Sequence, residues 1–244
     1  MNTDKTWKKY GEVDPYFGVI TSDEYRSTVI TDRGRDEFFR SGDRYVESLM
    51  AILRELNPEF SPRSAMDFGC GVGRLAIPLA RECDSTVLGV DVSPGMLSEA
   101  RKNAANHGIS NVEFTDEPSG RYDLVHSYIV LQHISPRRGL PIVRDLVSRV
   151  NPGGMIALQV PYHLAAWRRM RSSVVRVDPI TKRVNNLVHG RALNYPQLTM
   201  YCYSIPSLLE IFHEGGIDDI RLIPDSGSGP NYSSTIVYGW NRNK

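Results

Sequence analysis

The chain has 244 residues, 41% hydrophobic and 23% charged, with a formal net charge of +1, so nothing global argues for a nucleic-acid partner. That length suits one sizeable domain with insertions, or one domain and a small accessory part. Cys70, Cys83 and Cys202 are an odd, scattered set without C-x-x-C spacing, which argues against a disulfide framework and a zinc site. No apolar run reaches membrane-spanning length and the first residues hold no signal-peptide core, so the expected location is the cytoplasm.

The first twenty residues carry Trp7, Tyr10, Tyr16 and Phe17, with Asp14-Pro15 marking a turn. This stretch reads equally well as a clasp packed on the domain or as a lid over a ligand, with Tyr16 then facing substrate. Thr21-Ser22-Asp23-Glu24 resembles a capping box opening a short helix. Val46, Leu49, Met50, Leu53 and Leu56 recur at helical spacing, predicting a helix over 43–57 that ends before Pro58. Residues 1–60 are therefore expected to form a helical cap on a domain spanning 61–244.

From residue 64 the pattern alternates. Strands are expected at 64–68, 86–91, 111–114, 123–127 and 155–160. Helices fall between them at 74–82, after Ser93-Pro94 and at 136–150, with Asn151-Pro152-Gly153-Gly154 as a turn. Strands alternating with helices imply an α/β fold, a doubly wound and mostly parallel sheet binding ligands at its strand C-termini. Residues 161–203 interrupt the rhythm after the fifth strand, as a basic insertion holding His163, Arg168 and Arg171, with Asp178 its single acid. Those arginines favour an anionic acceptor, and a solvated lid is the plainer alternative. Ser204-Pro206 opens a last helix. Two closing strands, at 219–223 and 234–240, are joined by a loop that suggests a hairpin and an antiparallel final strand.

The chemistry centres on A-M-D-F-G-C-G-V-G-R-L, residues 65–75. Gly69, Gly71 and Gly73 at alternate positions let a strand turn sharply into a helix and bring a ligand against bare backbone. Asp91 closes the second strand, where a carboxylate accepts hydrogen bonds from a ribose diol. A nicotinamide fingerprint wants G-x-G-x-x-G, but Arg74 stands where its third glycine belongs. Asp67 would also sit awkwardly beside a pyrophosphate, whereas it suits a ligand bearing ammonium and sulfonium charge.

D-F-G-C-G-V-G-R resembles the first motif of the class I S-adenosylmethionine-dependent methyltransferases. V-L-G-V-D-V-S-P-G-M-L, Y-D-L-V-H-S-Y-I-V-L-Q-H-I and L-V-S-R-V-N-P-G-G resemble, in order, their second-strand, fourth-strand and pre-fifth-strand segments. The chain ends are similar to a bacterial small-molecule or glycan-type subgroup. The resemblance implies a Rossmann-like seven-stranded sheet with an antiparallel last strand, and S-adenosylmethionine as cofactor. The acceptor would be a small or carrier-bound molecule.

By position, Gly69, Cys70 and Gly71 would line the methionine and ribose portions, with Gly73 completing the loop, and Asp67 would lie near the amino group. Asp91 would hold the ribose hydroxyls, Val92 and Met96 the adenine, and Asp116 the adenine amine. Ser127 and Tyr128 would border the acceptor channel. His133 is the best candidate base, since an imidazole is neutral in useful amount near pH 7. Its competing reading, a structural residue bonding a neighbouring loop, is the stronger one. Tyr16, His163, Arg168 and Arg171 are the substrate-side candidates, and no metal site is expected. Two rivals stand: a non-catalytic partner subunit and an NAD(P)-dependent oxidoreductase. RNA is disfavoured because no basic module with stacking aromatics is visible.

Overall fold

The computed structural model describes residues 3–164 and 199–242. Helices α1 (Thr3–Val13), α2 (Pro15–Val19) and α3 (Asp32–Leu56) come first. Then follow β1 (Ala65–Phe68), α4 (Ala76–Glu82), β2 (Val87–Val90), α5 (Pro94–Asn106), β3 (Val112–Thr115) and β4 (Tyr122–Ser127). The remainder is α6 (Pro136–Ser148), β5 (Val150–Leu164), α7 (Ile205–Glu214), β6 (Asp219–Asp225) and β7 (Tyr232–Trp240).

The strands form one seven-stranded sheet in the order β3-β2-β1-β4-β5-β7-β6. Neighbours from β3 to β5 are parallel, and β7 runs antiparallel to both β5 and β6. Side chains alternate across the sheet, so each strand feeds two cores. Ala65, Val87, Leu124 and Met155 pack with α1–α5, while Met66, Leu88, Val125 and Ile156 pack with α6 and α7. This is the doubly wound arrangement that the alternating pattern predicts. The direction of winding reverses between β1 and β4, which opens a crevice at their C-terminal ends.

Several local expectations needed correction. Helix α3 begins at Asp32 rather than near residue 43, because Phe38, Phe39 and Gly42 extend its buried stripe toward the N-terminus. The Thr31 hydroxyl caps it, accepting from the Gly34 N–H at 3.1 Å. No capping box forms at Ser22; Asp23–Tyr25 is a single 3-10 turn, and Ser22 Oγ donates to Glu24 instead. The turn expected at 151–154 is part of β5, which starts at Val150 and shifts register against β4 there. Helix α5 matches its prediction, with Ser93 Oγ accepting from the Met96 N–H and Gly108 turning left-handed just past its end.

Candidate functional site

The glycine loop leaves β1 with Gly69, Gly71 and Gly73 at φ of 82°, 54° and 88°. These are left-handed values that favour glycine. The N–H groups of Gly69 and Cys70 both donate to the Val90 carbonyl, at 2.7 and 3.0 Å, which ties the loop to the end of β2. Asp91 then reaches across: Oδ2 accepts from the Gly71 N–H at 3.0 Å and Oδ1 from the Ser93 N–H at 2.9 Å. Each oxygen keeps a lone pair for a further donor. Burial raises the Asp91 pKa to about 6 despite those two hydrogen bonds.

Around this corner lies a cavity of about 710 Å³. Its walls include Asp67, Gly69, Cys70, Gly71, Asp91, Val92, Met96, Asp116, Tyr128 and His133. Ten of the residues singled out by motif thus converge on one space. Cys70 is buried there, and desolvation holds its thiol well above the ordinary range, so it is an inert wall and not a nucleophile.

Four of the predicted residues lie elsewhere. Gly73 turns away from the cavity; its left-handed backbone serves the seating of the loop against Ile77 and Ala100. Ser127 is buried, donating to the Phe68 carbonyl at 2.9 Å, so it ties β4 to β1 and does not border the channel. Tyr16 does not line the cavity: its hydroxyl lies within hydrogen-bond distance of Asn103 and Glu99 on α5, and its ring packs on Phe38. His163 sits exposed on the end of β5, opposite Ser233, and not in the insertion. Arg168 and Arg171 lie outside the described residues.

His133 faces the cavity with both ring nitrogens engaged. Nδ1 lies 3.1 Å from the Thr199 carbonyl, which makes it the protonated nitrogen. Nε2 lies 3.1 Å from Nε2 of Gln132, whose amide donates to it. Burial lowers the His133 pKa to about 4, so the ring is neutral at any ordinary pH. Gln132 continues into a buried chain: its Oε1 accepts from Ser228 Oγ, which accepts from Gln159 Nε2. Gln159 Oε1 in turn accepts from the Ile129 N–H at 3.3 Å.

Ile129 has φ of 61°, a costly conformation for a β-branched residue, where β4 meets the cavity. Neither this strain nor the Gln132–Ser228–Gln159 chain carries a local sequence signature. Tyr128, beside it, donates to Asp225 at 3.1 Å.

The N-terminal stretch closes the cavity from above. Thr3, Asp4 and Trp7 of α1, and Gly18 through Thr21, are wall residues. Asp4 pairs with Arg138 of α6 at 2.7 Å, Thr3 Oγ1 donates to the His133 carbonyl, and Trp7 meets the His133 ring edge-on at 5.1 Å. Helices α1 and α2 pack on the domain through Tyr10, Tyr16 and Phe17, while Trp7 and Gly18 of the same helices line the cavity.

A family model described as a methyltransferase domain matches residues 65–154. Residues 65–154 are thus similar to a methyltransferase domain. Among curated relatives, a trans-aconitate 2-methyltransferase from Methylobacterium radiotolerans is 36% identical over 110 residues, covering 44% of this chain and 42% of that protein. A ribosomal protein L11 methyltransferase from Burkholderia ambifaria is 37% identical over 99 residues, covering 39% of this chain and 31% of its own. The chain thus spans less than half the length of these relatives.

The whole fold matches the crystal structure of magnesium protoporphyrin IX methyltransferase from Synechocystis PCC 6803 with bound SAH. That match has a TM-score of 0.62 at 20% identity, covering 98% of this chain and 99% of that one. An N-methyltransferase from Bradyrhizobium japonicum in complex with S-adenosyl-l-homocysteine matches with a TM-score of 0.57 at 12% identity, covering 99% of each chain. Among the described residues no group of His, Cys, Asp and Glu could hold a metal, and no helix is long and apolar enough to cross a membrane.

Proposed function

We propose that this chain is an S-adenosylmethionine-dependent methyltransferase acting on a small or carrier-bound acceptor. The observation that carries the reading is the Asp91–Gly71 corner. A half-buried carboxylate at the end of β2 is joined to a left-handed glycine loop at the end of β1, and both face one cavity. Asp91 would accept the ribose hydroxyls, Val92 and Met96 would flank the adenine, and Asp67 would meet the ammonium. Asp116, also on the wall, would take the adenine amine. Arg74 in place of a third glycine weighs against a nicotinamide cofactor.

A sulfonium methyl arrives activated, so the protein's task is to hold donor and acceptor in line and exclude water. Helices α1 and α2 would do the excluding, with residues 1–60 as cap and 61–244 as the domain beneath. His133 would position the roof and not take a proton, because both its nitrogens are spoken for. The free thiols of Cys70, Cys83 and Cys202 support a reducing cytoplasmic setting.

Calorimetric titration with S-adenosylhomocysteine and with NAD tests the proposal on the wild type and Asp91→Ala. Binding of the first alone, weakened severalfold or more by the substitution, supports it. NAD binding instead, or neither ligand bound, overturns it. The latter result would leave the non-catalytic subunit as the better reading.

A further inference from the structure

Arg74 follows the glycine loop as a buried cation without an ion-pair partner among the described residues. It is 7% exposed and lines the cavity together with Gly71 and Tyr128. Nη1 donates to Ser41 Oγ of α3 at 3.3 Å, and that hydroxyl itself donates to the Phe38 carbonyl at 2.6 Å. Nε has no hydrogen-bond partner, and no described carboxylate forms an ion pair with the guanidinium. Around it stand the phenols of Tyr128, Tyr45 and Tyr25, kept neutral by burial, and the carboxylate of Asp67.

A buried polar group left unpaired is costly, and a charged one more so, unless something that binds later restores the missing contacts. A guanidinium anchored only at Nη1 keeps N–H groups for a further acceptor, and its fork of donors matches the two oxygens of a carboxylate. The nearby Asp67 charge disfavours a dianion such as phosphate and tolerates a monoanion beside it.

We propose that Arg74 is the carboxylate receptor of this cavity. The assignment rests on the methyl-transfer reading for its two possible sources, the amino-acid arm of the cofactor or a carboxylate on the acceptor.

The test titrates the full chain and its Arg74→Met, Arg74→Lys and Ser41→Ala variants with three probes. These are S-adenosylhomocysteine, 5′-methylthioadenosine (the same nucleoside thioether without the amino-acid arm) and, on the adenosylhomocysteine complex, the tricarboxylate trans-aconitate. Arg74→Met is expected to lose at least tenfold affinity for one carboxylate probe, with methylthioadenosine within twofold of wild type. Its unfolding temperature without ligand should be unchanged or higher. Arg74→Lys should recover part of the loss, and Ser41→Ala should show a smaller one.

Loss confined to adenosylhomocysteine assigns the cofactor arm, and loss confined to trans-aconitate assigns the acceptor. The proposal is overturned if neither carboxylate probe weakens, if methylthioadenosine weakens equally, or if Arg74→Met only lowers the unfolding temperature. A wild type that binds neither nucleoside overturns the methyl-transfer reading itself, and this assignment with it.

Discussion

Oδ1 of Asp67 lies 2.9 Å from Nδ1 of His126, both side chains are sealed from solvent, and Nε2 of the same ring meets the Tyr45 hydroxyl at 3.0 Å. A carboxylate on the cavity wall is thereby held by a relay reaching α3. His126→Ala strips Asp67 of that partner and should cost about 2–4 kcal/mol of stability. Tyr45→Phe removes only the outer hydrogen bond and should cost about 1 kcal/mol. Urea unfolding of both variants checks the order, and a Tyr45→Phe loss equal to that of His126→Ala would contradict it.

Asp91 gives the site a pH dependence. Its pKa is raised from 3.8 to about 6, so the folded chain holds a proton that the unfolded chain has already released between those values. Stability from this group therefore falls as pH rises from about 4 to about 6 and is level above. Ligand binding runs the other way, because a ribose diol needs the ionised acceptor. Affinity for adenosylhomocysteine should drop roughly tenfold between pH 7.5 and pH 5. Asp91→Asn should bind weakly and flatly across that range, and a wild type equally flat would refute the role.

His133 pulls stability in the opposite sense. Its pKa is lowered to about 4, so the unfolded chain takes up a proton first and stability is lost as pH falls through 6.5 toward 4. With Nδ1 given to Thr199 and Nε2 receiving from Gln132, the ring has no basic nitrogen to offer. His133→Asn should keep turnover within about tenfold and leave the rate profile from pH 5 to 8 unchanged. A drop of about a thousandfold or more would be the size expected of a general base.

The α1 roof should govern ligand residence more than chemistry. The Asp4–Arg138 pair is partly exposed, and such pairs contribute about 0–1 kcal/mol. Asp4→Asn should therefore speed release of adenosylhomocysteine by about threefold at most. Trp7→Ala removes the ring that covers His133 and should speed release by about fivefold or more. Stopped-flow displacement distinguishes the two.

Ile129 offers a stability test at the cavity edge. A left-handed conformation costs an L-residue about 1–2 kcal/mol, which glycine does not pay. Ile129→Gly should therefore lose less stability than Val130→Gly, its neighbour at a φ near −109°. Equal losses in thermal unfolding would show that the strain is negligible.

Where a residue's role is set by its near neighbours in the chain, the sequence announced it. Alternation placed β1, β2 and β4, and Ser93 announced the start of α5; Asp67 and Asp91, singled out beside the glycine loop, and Val92 and Met96, implied by the family resemblance, all line one cavity. Roles set by distant partners were hidden. Tyr16 lies off the cavity because Asn103 and Glu99, remote in sequence, hold its hydroxyl. Ser127 is turned to the Phe68 carbonyl, which lies beside it only once β4 pairs with β1. Arg74 was noticed only as a missing glycine, since its isolation depends on what α3 fails to bring near it.

Strand β7 is synthesised after β6 yet inserts between it and β5. Until β7 emerges from the ribosome, β5 has a bare edge and β6 has no partner in the sheet, although the β1–β3 half is already complete. A nascent chain paused there would expose a long apolar strand, Met155–Val160 among it, to any other chain with unpaired backbone. Yield of this protein should therefore depend on how quickly the last strand is delivered.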